Sequence, residues 1–485
     1  MGFALEMVLS CFLIYFVKTV DSSMKVKELY IKKYHQFEDF KLDLTYPEGH
    51  EKAGQPLDKV CFIGQSGTGK TSLLEVLKSV TYLSVKFAKH GLKNISKYSS
   101  MTSETLDNTL LRDLFQNLVK INFDNEMVVY FEKYNWDEVF NNGIFDMKYE
   151  NIVENNIDFL LDHFKIFFCP YDILSQDLSN IYSNNFDETT QKSPINTLVD
   201  FSTYSSNHLW ENINASIIKY REIEITKSLE IAAITQRSGF TNEELIEASE
   251  KFKTWQRNNP NPAKLLANEY LDKVLNKFNL NVKTQLHFIE TKDIKTIEIE
   301  NSNGETIPFN NLSSGTRQII LSTLPFFELK PNKSIVLFDE PERSIYADVQ
   351  KEIIDIYTSF TTDCQFFYAT HSPIIASSFE PWEIVELKFK DGKVIQELYY
   401  EGERHVDNYT INPQYLRWDD ILQRVFDLDS EGNEKRVKAL MRLATLESKL
   451  KKQNLSPEDR ETLWNEYLKL SKLTGWTTRI TNEKN

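Results

Sequence analysis

The stretch Gly64-Gln65-Ser66-Gly67-Thr68-Gly69-Lys70-Thr71 constrains the fold of this chain more than any other. It follows the apolar run Val60-Cys61-Phe62-Ile63 and leads into Ser72-Leu73-Leu74-Glu75-Val76-Leu77, so the local order is strand, loop, helix. Glycines let the loop turn its backbone N–H groups inward, and the helix N-terminus behind them favours an anion. That combination is a cradle for a polyphosphate. In the G-x-x-x-x-G-K-T pattern, Lys70 is placed to reach the β- and γ-phosphates, and the Thr71 hydroxyl to bind Mg²⁺. Gly64, Gln65, Ser66, Gly67, Thr68, Gly69 and Ser72 complete the expected contacts with ATP. A fortuitous Gly-rich turn is the competing reading, and the strand and helix on either side count against it.

Further along lies Asn311-Leu312-Ser313-Ser314-Gly315-Thr316-Arg317-Gln318, with a helix expected over Ile319 to Leu324. Ser313, Ser314 and Gly315 at a helix start present N–H donors and hydroxyls to an anion, although the same residues also serve as a plain N-cap. Ser334-Ile335-Val336-Leu337-Phe338-Asp339-Glu340-Pro341 reads as a buried strand ending in two acids. There Asp339 is expected to hold Mg²⁺ through its water shell and Glu340 to polarise an attacking water. Cys364 to Ala369 is another apolar strand, and His371 just beyond it is expected to contact a γ-phosphate.

The remaining chain frames these motifs. Its 485 residues, 41% hydrophobic and 26% charged, suit a globular chain of about two to four domains. A net charge of -15 argues against coating nucleic acid by bulk electrostatics and favours partners that accept an acidic surface. Cys11, Cys61, Cys169 and Cys364 are scattered, without metal-ligand spacing, which fits a reducing cytoplasmic compartment. The apolar run from Met7 to Val17 is too short to span a bilayer and lacks the marks of a secretory signal. Residues 1–23 are therefore expected to be an extension outside the main fold, with an interfacial anchor as the second reading.

Strands are expected near Lys25 to Ile31 and Phe40 to Leu44 as a hairpin, and near Met127 to Phe131 and Phe164 to Cys169. A helix is expected from Leu106 to Val119, and a loop-rich stretch from Asn141 to Asn156. Between residues 208 and 280 lies an inserted helical arm, with apolar helical spacing from Leu209 to Ile234 and further helices over Glu243 to Gln256 and Pro262 to Phe278. The arm is either a packed lobe or a platform for a partner. Strands return at Thr284 to Ile289 and Ile297 to Ile299. A hairpin follows around Asp391-Gly392, and residues 401–485 form a helical C-terminal region.

The ordered set resembles the ATP-binding cassette class, in the branch shared with SMC proteins and OLD-type ATPases. The resemblance covers residues 24–95 and 284–395 and rests on the P-loop, LSSGTRQ, LFDEPE and ATHSP in that order. It implies an α/β ABC-type P-loop head, split into residues 24–207 and 281–400, around the arm. It also implies that Ser313 and Gly315 are signature positions, Ser344 to Asp348 the D-loop, and His371 the switch histidine. Ser314 departs from the glycine that transporters usually carry there. Gln176 is a candidate for the Gln-loop. By the same resemblance, two copies pair head to tail, the signature of one closing over ATP held by the other, as a homodimer or higher homo-oligomer.

Transport does not fit a chain without a membrane segment or stable membrane association, and the compact arm does not fit a long-armed chromosome-structuring protein. An OLD nuclease would carry a Toprim domain after the head. The nearby Asp427-Leu428-Asp429 ends a helical pattern instead, so no intrinsic nuclease is expected. In layout the chain is similar to the ATPase subunits of antiphage systems, those of Septu and Septu-like retrons above all. That likeness implies regulation of a separate effector nuclease, of HNH type by preference and Toprim type second, with a DNA, RNA or retron complex as a further partner. The alternative is an SMC-like repair or recombination ATPase acting on DNA ends.

Overall fold

The computed structural model describes residues 24–90, 117–124, 128–131, 148–150, 164–173, 197–201, 206–239, 241–284, 298–397, 412–426, 428, 432–451 and 455–476. The expected extension over residues 1–23, most of the expected helix from Leu106, Gln176, Asp427 and Asp429 lie outside them. The chain divides into two compact units, one up to Tyr415 and one from Leu416.

The first unit opens with β1 (Val26–Tyr34) and β2 (Phe37–Asp43), an antiparallel hairpin whose turn passes through His35 in the left-handed region. Leu29 and Ile31 alternate inward at period 2, and a register shift between Val26 and Glu28 brings Val26 inward as well. Next come β3 (Lys59–Gly64), helix α1 (Lys70–His90), β4 (Val119–Phe123), β5 (Val128–Phe131), β6 (Lys148–Glu150), β7 (Ile166–Cys169) and β8 (Leu198–Asp200). Val119 opens β4 rather than closing the expected helix, and the alternating Val119, Ile121 and Phe123 are buried strand residues. The expected loop-rich stretch contains β6, paired to β5.

Helices α2 (Ser206–Gln236) and α3 (Asn242–Asn258) precede a helical run from Pro262 to Phe278, in which Leu266–Leu271 is a π segment. That segment buries Leu266, Ala267, Tyr270 and Leu271, with the Tyr270 ring stacked 4.8 Å from Phe360. A small sheet of β9 (Leu280–Val282), β10 (Ile299–Asn301) and β11 (Thr306–Ile307) follows. Here β9 ends before Thr284, where a strand was expected to begin, and the rest of that expected strand lies outside the described residues.

The unit then forms α4 (Ser314–Leu329), β12 (Ile335–Asp339), α5 (Ala347–Ser359), β13 (Gln365–Ala369), β14 (Ile384–Lys390) and β15 (Lys393–Glu397). Helix α4 begins five residues earlier than expected: Ser313 caps it by accepting from Thr316 N–H, so Gly315 to Gln318 are already helical.

Twelve of the described strands make one sheet in the order β6-β5-β4-β1-β2-β15-β14-β3-β13-β12-β7-β8. The six from β14 to β8 are parallel, whereas the opposite edge is an antiparallel meander. Parallel strands covered on both faces read as continuous apolar runs, and β3, β7, β12 and β13 are such runs. Helix α1 lays Leu73, Leu77, Val80 and Leu83 into the core on one side. Behind β12, Phe338 stacks at 4.4 Å on Tyr357 and at 5.5 Å on Tyr368, which gives the strand a rigid aromatic backing.

The unit from Leu416 contains α6 (Trp418–Arg424), α7 (Glu434–Leu450) and α8 (Pro457–Thr474). Leu443, Leu446, Leu450 and Tyr467 form its buried seam, and Arg442 donates two 2.7 Å bonds to Glu466 across α7 and α8. No helix among the described residues is long and apolar enough to cross a membrane.

Candidate active site

Register brings the motifs to one sheet edge. Asp339 of β12 pairs with Ala369 of β13, and Ala369 pairs with Phe62 of β3, so β12 and β13 end level and β3 runs on to Gly64 beside them. Just past them stand the P-loop, Glu340 and His371. A crevice at the carboxyl ends of parallel strands is the usual ligand position in such sheets.

The P-loop is built on glycine where nothing else fits. Gly64 has φ +142, and a Cβ there would lie 2.3 Å from the Leu387 carbonyl oxygen of β14. Gly69 has φ +86, and its Cβ would meet Gln36 Nε2 at 2.1 Å and Phe37 at 2.9 Å, on the β1–β2 turn. Gln65, Ser66 and Gly67 are exposed, Thr68 is buried, and the Thr68 hydroxyl donates to the Gln65 carbonyl at 2.8 Å. Lys70, only 6% exposed, donates to the carbonyls of Gly64 at 2.9 Å and Gln65 at 3.2 Å. Burial pushes its pKa down to about 8, against the pull of Glu340 and Asp339. An arriving polyphosphate would relieve that strain by giving the ammonium an anion.

Thr71 donates to Asp339 Oδ1 at 3.1 Å, which joins the loop to β12. Asp339 is 3% exposed, and its Oδ2 has no hydrogen-bond partner within the protein. Burial raises its pKa to about 7, with Thr71 opposing and Glu340 adding. A buried carboxylate oxygen left free beside a hydroxyl suits a hard cation, because Mg²⁺ takes such oxygens together with waters and substrate phosphates. Thr71 and Asp339 are the residues that would hold it. Ser72 is half-buried at the start of α1.

Glu340 adopts φ 48, a left-handed conformation that turns the chain sharply after β12, and its N–H donates to the Ala369 carbonyl at 2.8 Å. His371 Nε2 lies 4.0 Å from Glu340 Oε1, and both side chains are about two-fifths exposed. Burial lowers the His371 pKa, Lys70 lowers it further and Glu340 opposes, so the neutral ring is favoured at pH 7.

Ser313, Ser314 and Gly315 sit elsewhere in the bonding pattern. The Ser313 hydroxyl bonds within its own helix start, Ser313 and Ser314 are exposed, and a Cβ on Gly315 would lie 2.3 Å from the Ser344 carbonyl oxygen. Gly315 thus packs on the segment after Glu340 and Ser313 bonds within its own helix start, whereas Lys70, Thr71, Asp339, Glu340 and His371 converge on one another.

Sequence reasoning assigned no role to Glu342, the third acid of Asp339-Glu340-Pro341-Glu342. Its Oε1 accepts from the Thr370 hydroxyl at 2.6 Å and from the His371 N–H at 3.0 Å, so it locks the histidine loop to the Asp-Glu turn. The signal was present in the motif itself. Gln36, pressed on Gly69 from β1–β2, had none.

Residues 59–377 match the family described as "AAA domain, putative AbiEii toxin, Type IV TA system", a span of more than half the chain. The chain belongs to this family. The matched span holds the P-loop, the Asp339-Glu340 strand end and His371. No curated protein matches the chain. Among solved structures, one similar chain is an Smc head domain with an extended coiled coil, from Pyrococcus furiosus, bound to the C-terminal domain of ScpA. It is 12% identical, with 80% of this chain and 100% of that one covered and a TM-score of 0.37. A SmcHead bound to the C-winged helix domain of ScpA is 14% identical, covering 77% and 97%, with a TM-score of 0.37. An SMC head domain from Thermotoga maritima is 13% identical, covering 77% and 99%, with a TM-score of 0.34.

Proposed function

We propose that this chain binds and hydrolyses ATP and that its turnover governs a separate effector, a nuclease used in defence against phage. The observation that carries the ATPase reading is the convergence of Lys70, Thr71, Asp339, Glu340 and His371 at one strand edge. In this reading the P-loop amides and Lys70 hold the triphosphate. Mg²⁺ held by Thr71 and Asp339 neutralises phosphate charge when bound. Glu340 accepts a proton from the attacking water as its oxygen bonds to the γ-phosphorus. The bond from that phosphorus to the β–γ bridging oxygen breaks, leaving ADP and inorganic phosphate, and the proton then passes to solvent. His371, neutral and 4.0 Å from Glu340, donates to the γ-phosphate or to the water.

The exposed Ser313 and Ser314 support a composite site in which the signature serves ATP held by a second copy. A head-to-tail homodimer follows from that arrangement. The separate effector is supported by the net charge of -15, which favours a protein partner over bulk nucleic-acid binding.

Two measurements test the reading. Mg²⁺-dependent phosphate release from ATP should be present in the wild type and lost in Glu340→Gln. Native purification followed by mass spectrometry should bring down a nuclease of HNH type, while the purified chain alone leaves DNA and RNA intact. Recovery of a DNA-end-processing complex instead would favour the repair alternative.

A further inference from the structure

The loops that carry Glu340 and His371 are joined by a residue that no motif includes. Gln350, on the first turn of α5, accepts from the Ser372 hydroxyl at 2.7 Å through Oε1. Through Nε2 it donates to the Ile345 carbonyl at 2.8 Å, and more weakly to the Glu342 carbonyl at 3.5 Å. One amide thus ties the residue after His371 to the segment after Glu340. The same segment is gripped from its other side, because Gly315 of α4 leaves no room for a Cβ against the Ser344 carbonyl oxygen. Ser344 holds φ 62, a conformation that a serine adopts only when its surroundings impose it.

We propose that Gln350 is a positioning residue for hydrolysis, transmitting the position of the Gly315–Ser344 contact to the His371 loop. The chain of contacts is continuous: Gly315 packs on Ser344, Ile345 bonds Gln350, Gln350 bonds Ser372, and the His371 N–H is held by Glu342. When α4 shifts on engaging a nucleotide, the Ser344–Ile345 carbonyls shift with it, and the Gln350 amide carries the displacement to Ser372 and hence to the neighbouring His371. Both functions of the amide are needed, since one end donates and the other accepts. Gln350 acts through the two loops it bonds, so its effect falls on turnover rather than on binding.

The proposal rests on the ATPase reading above, and the test separates the two. Gln350→Met keeps the side-chain length and packing of α5 but removes both bonds. Gln350→Glu keeps the acceptor for Ser372 and loses the donor to Ile345. Each should lower kcat roughly ten-fold while KM for ATP changes by less than about two-fold. Binding of a fluorescent ATP analogue should match the wild type, and the melting temperature should not account for the loss at the assay temperature. A double-mutant cycle with Ser372→Ala should be strongly non-additive in kcat, because both changes cut one path. A kcat within about two-fold of wild type in Gln350→Met, or additive losses in the cycle, would overturn the proposal and leave the ATPase reading standing. A wild type that hydrolyses ATP no faster than Glu340→Gln would remove both. Should Gln350→Met not fold, Gln350→Glu and the cycle built on it decide the matter by the same criteria.

Discussion

The carboxyl edge of the parallel strands and the α2–α3 helices obey different rules. In α3 the helix ends are explained locally: Thr241 and Glu244 form a reciprocal capping box, acids lie in the first turn, Arg257 lies in the last, and no described side chain is buried. At the strand edge local rules are broken repeatedly. Lys70 and Asp339 are charged groups in the interior, Glu340 and Ser344 hold left-handed backbone, and Gly64 and Gly69 survive where a methyl would collide. Such violations cost stability and persist only where surrounding structure imposes them. Their concentration at one edge, and their absence from α3, is a physical reason to place the chemistry there.

The sharpest way to break this contrast is to change the edge. Lys70→Ala should weaken ATP binding by more than about a hundred-fold, because the cation contacts ground-state phosphate. Glu340→Gln should bind ATP as the wild type does and lose hydrolysis by about two to three orders of magnitude, with closed dimers accumulating. Isothermal titration and phosphate release measure the two. Equal loss of affinity in both variants would contradict the role given to Glu340.

A second experiment asks whether the edge is completed by another copy. Lys70→Ala and Ser314→Glu, the latter at an exposed signature position, should each be inactive alone, but doubly tagged mixed dimers carry one site with both lesions and one with neither. Such dimers should recover about half of the wild-type rate if the sites act independently. No recovery in dimers that still close around ATP would count against independent composite sites.

Buried and exposed charge give a third, smaller contrast. Glu383 sits at the foot of β14 with a nearly inaccessible side chain, and burial raises its pKa to about 7 despite Lys59 and the Glu380 N–H. Since the folded state holds that proton more tightly than the unfolded chain, the penalty begins as pH climbs above the ordinary 4.5 and is complete above about 7. The penalty amounts to at most about 3 kcal/mol. Urea unfolding at about pH 5 and about pH 7.5 should show a flatter pH dependence in Glu383→Gln than in the wild type. On α3, by contrast, the exposed Glu247–Lys251 pair should contribute little, with little pH effect near neutrality.

The smallest effect belongs to the helix cap. Thr241→Ala should cost about 1 kcal/mol of local stability, read by hydrogen exchange in α3, and leave the ATPase rate of the isolated chain unchanged. A large fall in ATPase would mean that α3 is coupled to the strand edge.

Much of the site was legible because it is written in contiguous runs. A strand, a Gly-rich loop and a helix in sequence can be read as a phosphate cradle, and an apolar run ending in Asp339-Glu340 declares both a buried strand and its polar end. Short or context-dependent elements were harder. Val119, which opens the alternating strand to Phe123, is expected from pattern as the end of a helix, and α4 is expected from Ile319 although Ser313 caps it. A cap and a strand start depend on which backbone groups find partners, which pattern alone does not report.

The sequence alone points to the residues proposed to carry the chemistry and to the local element of most of them, since backbone preference and hydrophobic period are properties of neighbours along the chain. It takes the tertiary structure to bring the ends of β3, β12 and β13 together, to close Gln36 on Gly69, to hold the His371 loop on Glu342, and to bridge Ile345 to Ser372 through Gln350. Those relations join residues from 5 to more than 300 positions apart. They are set by strand register and core packing, which depend on the whole apolar surface finding one arrangement, and no single stretch contains that information.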